Sequence, residues 1–384
     1  MRGNDEDLLM IPGPTMVAES TLRVMSHQMI NHRGKAFGEI LTECTENLKK
    51  VFRTKNDLFI LTSSGTGAME AAIANIIEPG GKILCPTYGK FSDRFKLIVE
   101  AFGGAPVELP VEWGDAPEPG LIEEVLDRED NIKAVTITQN ESSTGVRVPL
   151  EDISKIVKKH DVLLIVDTIS SMGGDYIPVD GLKIDMCISG AQKCFSLPPG
   201  LAFISVSEKA WEVINRTKNR AFYFSLPAYL KSYKKDPPET PYTPALTFFF
   251  ALQNSLRLLR KEGLDNVITR HQKAAQATRE AIQALELEFF PKRENLYSVT
   301  VTAVRIPNGV QDKELRGTMQ KDYGVLISGG QDKLKGKIFR IGHMGQVTEK
   351  EILTTIYALE KSLKKLGQRI ELGSGVEAAI KAFN

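Results

Sequence analysis

The chain has 384 residues, with 49 lysines and arginines against 48 aspartates and glutamates, so its net charge is +1. This balance gives no support to a nucleic-acid partner, an anionic membrane surface or a bulk acidic partner, and it implies that any anion site is local. The length predicts two or three domains, the four scattered cysteines predict neither a zinc site nor a disulfide framework, and the lack of a run of about 20 apolar residues predicts a cytoplasmic protein.

Short apolar runs alternate with longer amphipathic stretches between residues 56 and 206. The runs that predict strands are 58–62, 82–85, 107–111, 134–138, 162–167, 186–189 and 202–206. The stretches that predict helices are 66–77, 91–102, 120–128 and 150–160. This alternation is typical of an α/β domain with a largely parallel sheet. Ligands of such sheets bind beyond the carboxyl ends of the strands, so residues that follow the apolar runs are the candidates for function.

The remaining sequence predicts a second, smaller unit. Residues 219–244 are rich in Pro, Tyr and Lys and predict a loop, and two helices follow at 245–262 and 264–286, with Gly263 as the C-cap between them. The end of the chain then predicts an α+β unit, with strands at 297–305 and 337–342 and helices at 311–321 and 348–365. We therefore expect an N-terminal arm (1–16), a large domain (17–263) and a small C-terminal domain (264–384).

An acid and a lysine follow two of the apolar runs. The run V-L-L-I-V-D ends at Asp167, and Lys193 follows the next short run 26 positions later. Taken singly, such an Asp is usually a cap or turn residue and such a Lys is usually solvated. Together they are typical of a pyridoxal phosphate enzyme, in which the acid pairs with the pyridine nitrogen and the lysine bonds the aldehyde.

A glycine-rich turn follows the first predicted strand of this domain. In S-S-G-T-G-A-M-E (63–70), Gly65 and Gly67 allow close approach of the backbone, and Ser64 and Thr66 add hydroxyl donors at a helix start, as a phosphate site requires. The alternative is an ordinary N-capped helix. Two nucleotide motifs are excluded, because this turn lacks the third glycine of G-x-G-x-x-G and residues 329–338 lack the spacing of a P-loop.

Arg340 lies within an apolar strand pattern, K-I-F-R-I-G-H (337–343). An unpaired charge is costly to bury, so this guanidinium should face a carboxylate. Two partners remain open: a structural Asp or Glu, or the α-carboxylate of a substrate. His343 is expected to be structural or at the rim, and His32 with Arg33 is placed near a substrate entrance.

In these residues and the motifs around them, the chain resembles the class V aminotransferases of fold type I, and within them the alanine-glyoxylate and serine-pyruvate aminotransferases. Eight motifs carry the resemblance in the family's order: I-P-G-P-T (11–15), S-G-T-G-A-M-E-A (64–71), G-K-F-S-D-R (89–94), N-E-S-S-T-G-V (140–146), V-D-T-I-S-S-M-G-G (166–174), S-G-A-Q-K-C-F-S-L-P-P-G (189–200), T-P-Y-T-P-A (240–245) and F-R-I-G-H-M-G (339–345). They run nearly from end to end of the chain.

The resemblance implies a role for each matching residue. Lys193 would bond pyridoxal 5′-phosphate, Asp167 would pair with its ring nitrogen, Phe91 would stack on the ring, and Ser142 would bond near its phenolic oxygen. The implied phosphate ligands are Ser64, Gly65, Thr66, Gln192 and, from a neighbouring subunit, Thr243. The implied substrate contacts are Arg340 and the backbone around Gly13. A homodimer with shared active sites follows from the role of Thr243.

One position departs from the family. The alanine-glyoxylate enzymes have a Tyr three residues before the phosphate-binding Thr, where this chain has Thr240, with Tyr242 next to Thr243 instead. The tyrosine is therefore left out of the implied ligands.

The implied reaction is transamination between a small amino acid, serine or alanine, and a 2-oxo acid, pyruvate or glyoxylate. Three alternatives accompany it. A phosphoserine or aspartate aminotransferase would need an extra basic cluster, for which His32 and Arg33 are candidates. A cysteine desulfurase would need a cysteine in the C-terminal third, and none follows Cys194. A non-catalytic binding protein on the same scaffold would have no need for the lysine, the acid and the arginine together.

Overall fold

Strands and helices alternate along the computed structural model, which describes residues 7–218 and 221–384. The strands are β1 (Leu8–Leu9), β2 (Asp57–Thr62), β3 (Lys82–Thr87), β4 (Ala105–Pro110), β5 (Ile132–Thr138), β6 (Asn140–Glu141), β7 (Val146–Arg147), β8 (Leu163–Asp167), β9 (Met186–Gly190), β10 (Leu201–Val206), β11 (Val301–Arg305), β12 (Val325–Leu326), β13 (Ser328–Gly329) and β14 (Ile338–Gly342). The helices are α1 (Glu19–Val24), α2 (Lys35–Phe52), α3 (Gly65–Ala74), α4 (Lys90–Ala101), α5 (Pro119–Arg128), α6 (Glu151–Lys159), α7 (Glu208–Arg216), α8 (Leu226–Tyr233), α9 (Leu246–Glu262), α10 (Leu264–Ala284), α11 (Asp312–Tyr323), α12 (Glu349–Lys365) and α13 (Ser374–Phe383).

The central sheet has seven strands in the order β2-β10-β9-β8-β5-β3-β4. Only β10 runs antiparallel to its neighbours, and the other pairs are parallel. The predicted α/β class with a mostly parallel sheet is therefore confirmed. The carboxyl ends of β2, β3, β5, β8 and β9 consequently meet at one edge of the sheet.

Helices cover both faces of this sheet. Successive residues of a strand point to opposite faces, and in β2 Leu58 and Ile60 join the apolar cluster with α2, α5, α6 and α9, whereas Phe59 and Leu61 join the one with α3, α4, α7 and α8. Strands buried on both faces are apolar throughout, which explains why the sequence shows continuous apolar runs in place of alternation.

The C-terminal part forms a separate antiparallel sheet, in the order β11-β14-β13, with its own apolar core from α10 to α13. The N-terminal arm contributes to this unit, because β1 pairs in parallel with β12 and Met10 is buried in the same core. The proposed division at residues 16 and 263 stays a prediction.

The predicted helix boundary at Gly263 is confirmed, and the prediction of a loop over 219–244 was wrong in part. Gly263 separates α9 from α10 with a φ of 90°, as expected of a helix end. The predicted loop 219–244 contains α8, whose Pro lies in the first turn, where the missing N–H costs little. Leu226 and Tyr229, both buried, gave the helical spacing that would have identified it. Residues 219 and 220 lie outside the described part.

Two more differences concern the length of one strand and a set of helices. The strand expected at 297–305 is shorter than predicted and spans Val301–Arg305. Helices α1, α2, α7 and α13 had not been predicted.

Within the described ranges, no helix is both long and apolar enough to cross a bilayer. The cytoplasmic location stays a prediction.

Candidate active site

A cavity of about 90 Å³ lies at the carboxyl edge of the central sheet. The structure brings eight of the nine predicted cofactor residues to its wall: Ser64, Gly65, Thr66, Phe91, Ser142, Asp167, Gln192 and Lys193. A second cleft near the opposite ends of β8 and β9 contains none of them.

Asp167 is the last residue of β8, in register between Thr138 of β5 and Ile188 of β9. Its side chain is 3% exposed, and its Oδ1 accepts a hydrogen bond from the backbone N–H of Ile169 at 2.7 Å. Burial raises the pKa of Asp167 to about 7, although the hydrogen bond and the charges of nearby cations act in the opposite direction. A cation placed against this carboxyl would favour its ionised form.

Lys193 lies in the turn that follows β9, and its Nζ donates a hydrogen bond to the carbonyl of Pro12. Desolvation lowers the pKa of Lys193 to about 8, while Asp167 acts to raise it. Gly13 packs directly on this side chain. A Cβ at Gly13 would lie 2.5 Å from Cδ and 2.9 Å from Nζ of Lys193, at a φ of +85°. Only glycine fits there, so the N-terminal arm forms part of the site.

The glycine-rich turn lies where β2 passes into α3. Ser64 is the N-cap residue but makes no side-chain capping bond. In the first turn the amide of Gly67 bonds to the carbonyl of Ser64 at 2.9 Å, and the amides of Gly65 and Thr66 need another partner. A Cβ at Gly65 would meet Cδ1 of Ile169 at 2.5 Å. The side chain of Gln192 lines the same cavity, and its NH₂ group is a donor for an anion. These features together form a cradle for an anion.

Arg340 in β14 is 5% exposed. Its guanidinium donates to the carbonyl of Gly329 at 3.0 and 2.8 Å and to the carbonyl of Ser142 at 2.8 Å. Within the described ranges no Asp or Glu forms an ion pair with it, so the first of the two open alternatives, a structural carboxylate, is not found. Burial lowers the pKa of Arg340 to about 10, which leaves the residue charged at neutral pH. The substrate carboxylate stays the predicted partner.

Two further residues of the site had no role in the sequence analysis. Glu141 is completely buried, and its Oε2 accepts from the backbone N–H groups of Phe91 and Ser92 at 2.9 and 2.8 Å, at the start of α4. Its other oxygen accepts from the hydroxyl of Ser143 at 2.6 Å. Burial raises the pKa of Glu141 despite these bonds. Glu141 therefore fixes the backbone of the ring-stacking position.

Arg94 is the second such residue. It lines the cavity, donates from Nη1 to the hydroxyl of Thr66 at 3.0 Å, and lies over the ring of Phe91 at 4.9 Å. The three-residue spacing of Phe91 and Arg94 on α4 was the signal in the sequence, since residues three apart share a helix face.

Gly13 and Arg340 lie next to wall residues, Lys193 and Ser142 respectively, and four other predicted residues are absent from the cavity wall of the single chain. Thr243 is exposed. Arg33 pairs with Glu239 at 2.7 Å, and His32 is not part of the cavity wall. His343 is fully buried with its Nε2 2.9 Å from the hydroxyl of Thr302, which confirms a structural role.

The family model described as aminotransferase class-V matches residues 16–347. The chain belongs to the class-V aminotransferases. It is 49% identical to an uncharacterized aminotransferase of Methanocaldococcus jannaschii, over 97% of this chain and 96% of the relative. It is 36% identical to the serine–glyoxylate aminotransferase of Hyphomicrobium methylovorum, over 98% and 94%. The solved structure of ureidoglycine–glyoxylate aminotransferase from Bacillus subtilis superposes with a TM-score of 0.93 at 32% identity, over 98% of each chain.

This class-V aminotransferase is a pyridoxal-phosphate-dependent transaminase, as its family and structural neighbours establish. The residues of the cavity fit that cofactor. The cradle at Gly65 provides an anion site, the side-chain amide of Gln192 lines the same cavity, and a lysine with a lowered pKa shares the cavity with a buried acid. The predicted family, fold and cofactor are thus confirmed.

Proposed function

We propose that this class-V aminotransferase transfers the amino group of a small neutral amino acid, serine or alanine, to pyruvate or glyoxylate. The proposal rests on the set of charged side chains that line the cavity. Within the described residues its charged groups are Asp167, Lys193 and Arg94. Asp167 and Lys193 are assigned to the cofactor, and Arg94 is bonded to the hydroxyl of Thr66. Apart from Arg94, no cation of the wall is left to neutralise an acidic substrate side chain, whose burial would then be costly.

Lys193 is assigned the covalent and proton-transfer roles. Its pKa of about 8 leaves a substantial fraction of neutral amine near neutral pH, as a general base requires. In this role Nζ binds the cofactor aldehyde at rest and, once displaced by the substrate amine, moves the α-proton of the substrate. The carbonyl of Pro12 and the close contact with Gly13 hold the chain of Lys193 in place.

Asp167 and Phe91 are assigned to the cofactor ring. When bound, pyridoxal phosphate supplies the electron sink that stabilises a carbanion at the substrate α-carbon. Asp167 would keep the ring nitrogen protonated, and a positive ring nitrogen would in turn favour the ionised carboxylate. Phe91 would cover one ring face, with its backbone fixed by Glu141. Ser142 would bond to the ring's phenolic oxygen.

The phosphate is assigned to Ser64, Gly65, Thr66 and Gln192. The free amide groups at the start of α3 and the positive end of its dipole favour an anion there.

Arg340 is assigned to the substrate α-carboxylate. Its three hydrogen bonds to carbonyls use three of five N–H groups and leave two for a ligand. A buried cation whose partners are carbonyls gains from an anionic ligand. The backbone at Gly13 would lie beside the same carboxylate.

The functional unit is proposed to be a homodimer in which Thr243 reaches the phosphate of the neighbouring subunit. Thr243 is exposed and lies next to Tyr242, which stacks on Tyr223 with ring planes 15° apart. Phe222, also in contact with Tyr242, is 81% exposed. An exposed aromatic cluster of this kind is typical of an interaction surface.

The phosphoserine alternative loses its proposed basic cluster, because Arg33 is already paired with Glu239. Aspartate remains the alternative to test, since Arg94 is a cation of the cavity wall. A non-catalytic protein is disfavoured, because the chain belongs to the class-V aminotransferases and its cavity wall contains both Lys193 and Asp167.

The test is a donor and acceptor panel. Purified protein is loaded with pyridoxal phosphate and mixed with serine, alanine, aspartate or phosphoserine, and loss of the visible absorbance of the bound cofactor is followed. We expect serine or alanine to exceed both acidic donors in kcat/KM by about 100-fold or more, which is within reach of a site whose one remaining cation, Arg94, is bonded to Thr66. A preference for aspartate or phosphoserine would contradict the proposal.

A further inference from the structure

Arg94 has no assigned role in the proposed chemistry, yet its position in the cavity is unusual. Its guanidinium bonds to the hydroxyl of Thr66, which belongs to the first turn of α3. Its charge also lowers the pKa of both Asp167 and Lys193. Within residues 7–218 and 221–384, no Asp or Glu forms an ion pair with it. The guanidinium is therefore held inside the site without a carboxylate partner.

Two positive features meet at this point. The N-terminus of α3 carries the positive end of the helix dipole, and a cation is unfavourable beside it. The guanidinium of Arg94 is nevertheless placed against that turn, in contact with Thr66. An anion between the two would relieve the repulsion and would accept hydrogen bonds from both. Arg94 has N–H groups left for it, because only its bond to Thr66 appears among five donors.

We propose that Arg94 binds the phosphate of the cofactor. The inference rests on the proposed assignment of Ser64, Gly65 and Thr66 to that phosphate. Because Arg94 also lies over Phe91, the same side chain supports the ring-stacking residue and the phosphate end of the site.

The test compares two ligands that differ only in the phosphate. Protein freed of cofactor is titrated with pyridoxal 5′-phosphate and with pyridoxal, as wild type, Arg94→Gln and Arg94→Lys, and Kd is taken from the absorbance change. Arg94→Gln should weaken binding of the phosphorylated ligand by about 10- to 100-fold and leave that of pyridoxal within about twofold. Arg94→Lys keeps the charge and should weaken the binding of pyridoxal 5′-phosphate less than Arg94→Gln does. Lys96→Gln is the matched control, because it removes one positive charge from the same helix at a residue paired with Glu108.

Several outcomes would overturn the inference. Equal weakening of both ligands by Arg94→Gln would assign Arg94 to support of Phe91 alone. Unchanged affinity for both, or an effect of Lys96→Gln as large as that of Arg94→Gln, would remove Arg94 from the phosphate site. Retained affinity for pyridoxal phosphate with a selective loss of aspartate turnover would assign Arg94 to a substrate side chain. The titration contains no amino acid, so a failure of the proposed donor preference leaves this result unaffected.

Discussion

Asp167→Asn is expected to change stability and activity in opposite directions. Burial raises the pKa of Asp167 from 3.8 to about 7. One pKa unit corresponds to about 1.4 kcal/mol, so keeping this carboxylate ionised costs the cofactor-free fold up to about 4 kcal/mol above pH 7. Asparagine has nearly the same shape, can still accept from the N–H of Ile169, and carries no charge to desolvate.

The sign of the pH dependence follows from the raised pKa. The folded wild type binds this proton more tightly than the unfolded chain, so its free energy of unfolding falls as the pH rises from about 4 to about 7. The cofactor-free variant should therefore be more stable than wild type by about 1–4 kcal/mol at pH 8, and the difference should disappear near pH 4. The loaded variant should lose about 100-fold or more in kcat, because no carboxylate remains to hold the ring nitrogen protonated.

The assay is urea unfolding of the cofactor-free protein at several values between pH 5 and pH 8, together with turnover of the loaded protein. Asp175→Asn is the matched control. Asp175 is also buried, but it accepts from Arg147 at 2.6 Å, so its loss should destabilise the fold. The reasoning is refuted if Asp167→Asn is less stable than wild type at pH 8, or if the stability difference does not change with pH.

Three further substitutions test the other assignments. Lys193→Ala should lower kcat by about 1,000-fold or more. After borohydride reduction, mass spectrometry of this variant should find no cofactor on the peptide that contains position 193. A cofactor attached elsewhere in the chain would contradict the assignment. Arg340→Lys should raise KM for the amino donor by about 10- to 100-fold, since it loses the planar set of donors, and an unchanged KM would speak against a carboxylate contact. Gly13→Ala should lower kcat because its Cβ would collide with Lys193. Gly80→Ala is its control, with a similar positive φ but no atom within 4 Å, and should cost only about 1 kcal/mol of stability; equal activity losses in both would refute the steric argument.

Much of the large domain could be predicted from local sequence. The strands of the central sheet are covered on both faces, so their residues are continuously apolar and stand out against the amphipathic helices. Helix α8 was missed because its first-turn Pro and its Tyr and Lys content are typical of loops, although its buried face has helical spacing. Helix α13 was missed at the end of a chain segment that the predicted α+β pattern did not cover.

The chain order of the site was also present in the sequence. Asp167 and Lys193 each follow an apolar run, and parallel strands bring such positions to one edge of the sheet, so both were expected in one cavity and are found in it. The same logic placed Ser64, Gly65 and Thr66 at the start of a helix beside them.

The sequence by itself thus determined the layered α/β fold and the set of chemical groups at the edge of its sheet, because burial and periodicity are local properties of the chain. Only the tertiary structure decided how those groups are held. The lysine contacts the arm across 181 positions of sequence, Arg340 bonds to carbonyls in place of a carboxylate, and Glu141 and Arg94 take positions around Phe91. Such contacts join residues with no shared period or spacing, and they arise from the packing of whole elements against each other.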